Sequence, residues 1–254
     1  MPSVRFSLIH PSRGRVNMAR ETIAEWRGAA SGRCEYEYLL SIDADDPNGD
    51  AYAAMAKESR VDLLVNRNRS MVDAVNRAAQ RSTGDVLIVV SDDFGCPPEW
   101  DLAIAAAIGD RKNIAVLVDD AIEGRIMTLP IVDRAFYESA GHVYHPDYIS
   151  MFSDDDLTEH ARQSGRLIET PGLTFPHRHP QASGAELDDT YRRQGRPLAW
   201  IEGRRVLARR RAMRFGAAPK SAALTIALAR IDITAAWQRA GSRIKRRLLG
   251  LPPP

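Results

Sequence analysis

The strongest constraint on the fold is a regular alternation of short apolar runs with helix-like segments. The run Val86–Val90 is apolar at every position and mostly β-branched, which is typical of a strand buried on both faces. The preceding segment, Ser70–Arg81, has apolar residues three and four positions apart, as in a helix packed on a sheet. Strands separated by helices predict an α/β protein with a mostly parallel sheet flanked by helices.

Other segments extend this pattern along the chain. A first helix is predicted over Asn17–Trp26. Five further strands are predicted because each segment is short and apolar or alternating: Val4–His10, Glu35–Ile42, Val61–Val65, Ile114–Val118 and Arg125–Val132. The chain of 254 residues is long enough for one large domain with an appendage.

Polar residues follow several of the predicted strands at their carboxyl ends. They are Pro11-Ser12-Arg13, Asp43, Asn66-Arg67-Asn68 and Ser91-Asp92-Asp93. In open α/β sheets, ligands bind beyond these ends of the strands. A carboxylate directly after a buried strand loses solvation unless a cation or hydrogen-bond donors compensate. Hard cations such as Mg²⁺ take oxygen ligands from one or two carboxylates and from substrate phosphates. We therefore predict a cation site at Asp92–Asp93, and a surface turn at the similar pair Asp119–Asp120.

The order of these features resembles the family 2 glycosyltransferases, which have the GT-A fold. The resemblance covers about residues 3–180 and rests on five motifs in order: Pro11-Ser12-Arg13, Asp43, the stretch from Asn68 to Asp85, the run ending in Ser91-Asp92-Asp93, and Phe152-Ser153-Asp154-Asp155-Asp156-Leu157. It implies a Rossmann-like fold, a nucleotide-sugar donor and a Mn²⁺ or Mg²⁺ cofactor.

The resemblance also implies a role for individual positions. The predicted nucleotide-sugar-binding residues are Pro11, Ser12, Arg13, Asp43, Asn68, Ser91 and Asp92. The predicted metal ligands are Asp93 and a loop histidine, His177 or His179. Asp154 matches the catalytic base, with Asp155 as the alternative. Two departures from the family pattern are Ser91, where the family often has its first Asp, and Ser153, where a Glu often precedes the base; the second leaves the register of the base open.

These residues suit the transfer of a hexose to an acceptor hydroxyl. A divalent cation stabilises the charge on a leaving diphosphate, and a positioned carboxylate removes the proton of the acceptor. The resemblance implies inversion at the anomeric carbon, a UDP-sugar as the favoured donor, and a glycan or lipid-linked saccharide as the acceptor.

Local structure alone would also account for some of these residues. Asp154–Asp156 would stabilise the start of a helix, and both histidines would fit a solvated loop. Two other functions stay open. A metal-dependent nucleotidyltransferase needs a Gly- and Lys-rich phosphate loop, which Ser12–Arg15 only faintly suggests. A GT-A-like binding protein would keep the fold without catalysis.

Charge separates the two ends of the chain. Residues 1–190 carry 19 Lys and Arg against 31 Asp and Glu, a net charge of −12, whereas residues 191–254 carry 16 against 2, a net charge of +14. We predict a catalytic domain over residues 1–185 and an appendage of two or three basic amphipathic helices over 186–254. A solvated face, nucleic acid and an anionic membrane surface are possible reasons for this charge. We favour the membrane, because the motifs of RNA-binding modules are missing.

The remaining features predict a cytoplasmic protein that contacts the membrane peripherally if at all. No secretory signal is visible at the N-terminus. Cys34 and Cys96 are far apart and have neither disulfide-framework nor zinc-site spacing, which fits a reducing compartment.

Overall fold

The computed structural model describes residues 4–121, 125–178 and 188–248. The strands are β1 (Arg5–Ser12), β2 (Glu35–Asp43), β3 (Asp62–Asn66), β4 (Val86–Val89), β5 (Ala115–Asp119), β6 (Ile131–Asp133) and β7 (Leu167–Thr174). The helices are α1 (Val16–Gly28), α2 (Gly49–Ser59), α3 (Met71–Ala79), α4 (Trp100–Ile108), α5 (Arg134–Ala140), α6 (Ser153–Gln163), α7 (Asp189–Gln194), α8 (Pro197–Ala212) and α9 (Ala222–Leu248).

The seven strands form one mixed sheet in the order β3-β2-β1-β4-β6-β5-β7. All neighbouring pairs are parallel except those of β6, which runs antiparallel to both β4 and β5. This confirms the predicted mostly parallel sheet flanked by helices. The chain leaves β1 toward β2 and β3 on one side and returns to β4 on the other. Ligands bind at such a reversal of strand order, beyond the carboxyl ends of the strands.

The central strands of the sheet are buried on both faces. On one face, Phe6 and Leu8 of β1 belong to a core that contains Trp26 and Trp100. On the other face, Ile9 belongs to a second core, formed with helices α3, α5, α6 and α8. All four residues of β4 are buried, as its unbroken apolar run predicts. The two cores fix the central strands rigidly, so the polar residues at their ends have defined positions.

A close backbone approach sets the start of β4. Gly84 donates its backbone N–H to the hydroxyl of Ser7, and a methyl group at Gly84 would lie 2.7 Å from the carbonyl carbon of Phe6. Only glycine fits at this distance. The turn Gly84-Asp85, visible in the sequence as a helix stop, therefore also aligns β4 with β1.

The prediction of a strand over Arg125–Val132, the last of the predicted strands, is largely wrong. Of Arg125–Val132, only the end belongs to β6 (Ile131–Asp133). The residues before it form a loop, in which the backbone N–H of Met127 is bonded to the hydroxyl of Thr158 on α6. β7 was not predicted, because Pro171 and Gly172 interrupt its apolar pattern.

The C-terminal segment is helical, as predicted. The last of its helices, α9, is continuous from Ala222 to Leu248. Val206 and Leu207 of α8 are buried in the second core of the sheet, so α8 packs directly on the α/β part of the molecule. The boundary between residues 185 and 186 stays a prediction. No helix among the residues described is both long and apolar enough to cross a bilayer.

Candidate active site

Asp92 lies at the centre of a buried polar network behind the site. Its side chain is bonded to Nε2 of His10 at 2.9 Å and to the hydroxyl of Ser12 at 2.9 Å. His10 is fully buried, and its Nδ1 lies 2.8 Å from the hydroxyl of Tyr38. If His10 donates to Asp92, the other ring nitrogen accepts from Tyr38, so both ring nitrogens are satisfied. This network fixes Asp92 and Ser12 at adjacent strand ends, as their predicted roles require.

The residues predicted to contact the nucleoside also lie together. Arg13 donates to Asp43 at 2.6 Å and to Asp45 at 2.5 Å. The side-chain amide of Asn68 donates to Asp43 at 3.0 Å, while its Oδ1 is buried and has no hydrogen-bond partner. A buried acceptor without a partner is costly, so the Oδ1 of Asn68 would gain from a hydrogen-bond donor. Together with the carboxylate of Asp43, it forms a small acceptor-rich patch at the ends of β2 and β3. Pro11 is the penultimate residue of β1, beside this patch.

Asp93 is the best-defined candidate for a metal ligand. It is 5% exposed, and its Oδ2 lies 3.2 Å from Nε2 of His177 and accepts from the hydroxyl of Tyr191. Its Oδ1 is buried without a hydrogen-bond partner. Burial alone would raise the pKa of Asp93, but hydrogen bonding and charge from His177 outweigh it, together with Tyr191 and Arg15, and lower the pKa to about 2. Asp93 is therefore ionised throughout the neutral range and offers a free oxygen.

The ring of His177 is held by its neighbours. It stacks on Phe94 with ring centroids 4.2 Å apart, and its backbone N–H donates to the carbonyl of Asp120. The Asp93 carboxylate suits Mg²⁺ or Mn²⁺, and the imidazole of His177 favours Mn²⁺ of the two because nitrogen is a softer ligand than oxygen. Mg²⁺ takes one or two carboxylates and completes its shell with phosphates and water. No group of three metal-binding side chains is found within residues 4–121, 125–178 and 188–248. His179, the other predicted ligand, lies outside these ranges.

Helix α7 brings further residues to the site that sequence reasoning missed. Asp188, its N-cap, is bonded to Arg15 through two hydrogen bonds of 2.6 and 2.7 Å. The guanidinium of Arg15 lies over the ring of Tyr191 and 3.9 Å from Asp92. Arg15 follows the polar residues at the end of β1, whereas Asp188 and Tyr191 lie in the predicted basic appendage. Only the Asp-Asp pair at 188–189, before a helix-like stretch, signalled a helix start here.

The second acidic cluster begins α6. Asp154 is partly buried in the first turn, where the positive end of the helix dipole favours carboxylates. Burial nevertheless raises the pKa of Asp154 above its ordinary value, and the negative charge of Asp155 adds to the rise. Burial and the charge of Glu159 raise the pKa of Asp155 as well. A carboxylate with a raised pKa is a stronger base than an ordinary surface Asp.

The residue before this helix has an unusual backbone. Phe152, the N-cap of α6, has φ = 71°, in the left-handed region that bulky residues rarely adopt. Its ring packs edge-on against Trp200 of α8, with centroids 5.4 Å apart. Strained backbone of this kind persists where surrounding contacts determine it and is frequent at functional sites. The contact with α8 therefore helps to set the direction in which α6 begins.

Hydrogen bonds and short backbone segments connect Asp154 with His177, the partner of Asp93. The hydroxyl of Thr158 donates to the carbonyl of Asp154 at 2.6 Å and accepts from the N–H of Met127. The adjacent Thr128 donates to the side chain of Asp120 at 2.7 Å. Asp120 is only 1% exposed, so the predicted surface turn at Asp119–Asp120 is wrong for this residue. Asp120 instead connects the loop beside α6 to His177, because its backbone carbonyl accepts a hydrogen bond from the backbone N–H of His177.

Asp156, the third acid of the cluster, is engaged in buried contacts that hold α6 to α8. It is 2% exposed and is bonded to the guanidinium of Arg210 on α8 and to the hydroxyl of Tyr148. A carboxylate saturated by these donors is poorly placed to accept a proton from a substrate. Of the three acids at 154–156, Asp154 and Asp155 therefore remain as candidates for the base. Ser91 lies two residues after β4 and is partly exposed beside Asp92.

Comparisons with known proteins show the family and the fold of the chain. The model of the family described as "Glycosyl transferase family 2" matches residues 7–163, more than half of the chain. The chain belongs to glycosyl transferase family 2. No curated protein matches the sequence significantly.

Solved structures of other glycosyltransferases resemble this family 2 protein. The mannosyltransferase PcManGT from Pyrobaculum calidifontis, in complex with GDP-Man and Mn²⁺, superposes with a TM-score of 0.60 at 16% identity, over 93% of this chain and 72% of that one. Glucosyl-3-phosphoglycerate synthase from Mycobacterium tuberculosis, in complex with Mn²⁺, UDP and glucosyl-3-phosphoglycerate, gives 0.57 at 12% identity, over 86% and 82%. S. aureus TarS 1-349 with UDP-GlcNAc gives 0.56 at 14% identity, over 89% and 71%. Identities this low show a shared GT-A fold, which confirms the predicted fold, and say nothing about this protein's own sugar.

Proposed function

We propose that this family 2 protein transfers a hexose from a nucleotide diphosphate sugar to an acceptor hydroxyl, with Mn²⁺ or Mg²⁺ on the diphosphate. The observation that carries the proposal is the pairing of Asp93 with His177 at the end of the central strand, with the Oδ1 of Asp93 buried and unpartnered. The second support is a separate carboxylate, Asp154, whose pKa is raised. Family membership favours sugar transfer over nucleotidyl transfer.

The metal would be held by Asp93 and His177, with the donor phosphates completing its shell. When bound, the cation stabilises the negative charge that develops on the leaving diphosphate. Arg15 adds a positive charge at the same strand ends, because it lies between Asp92 and Asp188. The network around Asp92 keeps these groups in position before the donor arrives, which lowers the cost of organising the site during the reaction.

Asp154 would accept the proton of the acceptor hydroxyl as the new glycosidic bond forms. Its raised pKa suits this role, since a base is most effective when its pKa approaches the working pH. Attack from the side opposite the diphosphate inverts the anomeric carbon, so we propose an inverting reaction. Asp155 is the alternative base. The test is the anomeric configuration of the glycoside product relative to that of the donor, determined by NMR.

The donor proposed is a UDP-sugar. Asp43 and the unpartnered Oδ1 of Asn68 offer hydrogen-bond acceptors to a base that presents a ring N–H. Uracil does so, and so does guanine, so the choice needs measurement. The acceptor proposed is a glycan or a lipid-linked saccharide.

A thermal-shift screen of UDP-, GDP- and dTDP-sugars, each with and without Mn²⁺, tests donor binding. A ligand at 100 times its Kd stabilises the folded state by about 2.7 kcal/mol, which corresponds to roughly 5–10 °C in Tm for a domain of this size. We expect one nucleotide to give this shift, and to give it only with the metal. If no sugar nucleotide raises the Tm, either with or without metal, the donor site is refuted.

Two substitutions then separate binding from chemistry. Asp93→Asn should remove the metal-dependent part of the thermal shift, whereas Asp154→Asn should keep donor binding and lower turnover by at least about 10²-fold. Asp147→Asn is a matched control, because its side chain is 69% exposed. Full turnover in Asp154→Asn would move the base to Asp155. Pyrophosphate released from a nucleoside triphosphate would indicate a nucleotidyltransferase, and donor binding without any nucleoside diphosphate release would indicate a binding protein.

A further inference from the structure

Exposed apolar side chains are concentrated at the C-terminal end of the molecule. Within residues 4–121, 125–178 and 188–248, the large hydrophobic residues that are exposed on α8 and α9 are Trp200, Ile226, Ile233, Trp237 and Ile244. In the rest of those ranges, only Val65 and Ile149 are comparable. Trp237 is 75% exposed, which is unusual for a tryptophan. Such a concentration marks an interaction surface.

Four of these residues form a straight line along α9. Ile226, Ile233, Trp237 and Ile244, which we call the α9 stripe, follow each other at spacings of seven, four and seven residues. These spacings return to the same face of a helix. At a rise of about 1.5 Å per residue, the stripe is roughly 27 Å long.

The opposite face of α9 is already occupied. Ala235 is 4% exposed. Asp232 pairs with Arg205 and Arg209 of α8, and Arg239 pairs with Glu202. These contacts dock the helix on α8 without burying any of the α9 stripe. The stripe therefore faces away from the domain and is available to a partner.

Basic side chains surround the stripe. Arg230, Arg243 and Lys245 are exposed on α9. Arg230 also lines a groove between α8 and α9, together with Arg204 and Arg205 and with an apolar floor that includes Ile231. An apolar line bordered by cations matches the boundary between the acyl chains and the anionic headgroups of a bilayer.

We propose that α8 and α9 dock the protein on an anionic membrane surface, with the α9 stripe in the headgroup–acyl boundary and the arginine groove on lipid phosphates. Nucleic acid would use the cations but would leave a line of isoleucines exposed. A second copy of the chain would bring together two segments that each carry a net charge of +14 over residues 191–254. A bilayer satisfies both the apolar stripe and its basic border.

The docking surface is joined directly to the catalytic helix. Trp200 and Arg204 of α8 both pack against Phe152, the residue at which α6 begins. Gly203 faces Met151 so closely that a methyl group there would overlap the Met151 carbonyl oxygen. Asp154 follows only two residues after Phe152. The membrane-facing helices thus lie beside the proposed base, where an acceptor anchored in the bilayer would arrive; this part of the inference rests on the proposed function.

Sedimentation with vesicles tests the docking surface independently of catalysis. The full chain should sediment with vesicles of phosphatidylcholine and phosphatidylglycerol, and should stay in solution with pure phosphatidylcholine. The variant Arg230→Glu/Arg243→Glu/Lys245→Glu should bind at least about tenfold more weakly, since each cation near an anionic surface contributes about fivefold. Its control is Lys57→Glu/Arg81→Glu/Lys112→Glu, in which three exposed cations of the catalytic domain change by the same charge.

A second pair of variants tests the apolar contribution. Ile233→Gln/Trp237→Gln should weaken vesicle binding about tenfold, whereas Val65→Gln/Ile149→Gln, which removes two apolar residues that are each 54% exposed elsewhere, should not. In the wild type, Trp237 emission should shift to the blue and be quenched by brominated lipid, because its ring leaves water. Trp237→Phe should remove most of that shift, since Trp26 and Trp100 are already fully buried and any remainder then reports Trp200, which is 42% exposed on α8.

The outcomes separate this inference from the proposed enzyme. Equal binding by the stripe variant and its control overturns the docking surface, as does binding to pure phosphatidylcholine that equals binding to anionic vesicles. A dimer in solution that disappears in Ile233→Gln/Trp237→Gln, without vesicle binding, would assign the stripe to a second copy. Preferential binding of RNA by the basic border would also overturn the membrane docking surface. Vesicle binding that persists while no sugar nucleotide is consumed refutes the proposed function alone.

Discussion

The buried ion pair between Arg210 and Asp156 yields a sharp prediction about how α8 supports α6, the helix that carries the proposed base. Two hydrogen bonds, of 2.9 and 3.3 Å, join the guanidinium to the carboxylate. The side chains are only 9% and 3% exposed. Tyr148 donates a third hydrogen bond to Asp156. Asp156 is thus desolvated and depends on these two residues to offset its charge.

Replacing Arg210 with Met should therefore cost much more than an ordinary surface substitution. Removing one partner of a buried pair leaves the other charge without compensation, which costs about 3–5 kcal/mol. For a domain whose total stability is about 5–15 kcal/mol, this is a large fraction. The same helix offers a control in Arg211, which pairs with Glu159 but is 53% exposed. Arg211→Met should cost no more than about 1 kcal/mol.

Urea unfolding, followed by tryptophan fluorescence and by circular dichroism, measures both losses. A shift of the midpoint at constant m-value shows a change in stability rather than in compactness. The double variant Arg210→Met/Asp156→Asn should recover much of the loss, because neither charge is then left alone. We expect a coupling energy of about 2–3 kcal/mol, at the upper end for neighbouring residues.

The reasoning is refuted if Arg210→Met costs as little as Arg211→Met, or if the losses of the two single variants simply add in the double variant. The effect on catalysis should follow the effect on structure. Because Asp156 lies in the first turn of α6, two residues after Asp154, Arg210→Met should also lower turnover at temperatures where the variant is still folded. Unchanged turnover would show that the pair stabilises α8 without positioning the base.

The other predictions concern the base, the docking of α8 and the metal site. Asp155→Asn should move the acidic limb of the turnover–pH profile to lower pH, because losing the neighbouring charge lowers the pKa of Asp154 toward its ordinary value; an unmoved limb contradicts the coupling. Gly203→Ala should lower Tm measurably, since its methyl group has no room; a neutral result means that α8 can shift. Tyr191→Phe should tighten Mn²⁺ binding, measured by calorimetry, several-fold, because the hydroxyl no longer competes for Asp93; weaker binding would make Tyr191 a supporting residue of the metal site.

The sequence by itself determined the local features of this protein. Apolar periodicity predicted strands β1 to β5 because the pattern of one buried strand is contained in its own residues. The acidic motifs were also visible, since Asp92 and Asp93 directly follow an unbroken apolar run and Asp154 begins an amphipathic stretch. Strand β7 escaped, because a partly exposed strand containing Pro and Gly carries no such pattern.

Tertiary structure alone decided which distant residues meet at the site. Asp93 is paired with His177 and Tyr191, which lie 84 and 98 positions further along the chain. The fully buried His10 became a partner of Asp92, and Asp120, a turn residue by its sequence, became a buried link. Hydrophobic periodicity reports which side of an element is buried, not what it is buried against. That choice depends on the order in which the strands join the sheet, and therefore on the packing of the whole chain.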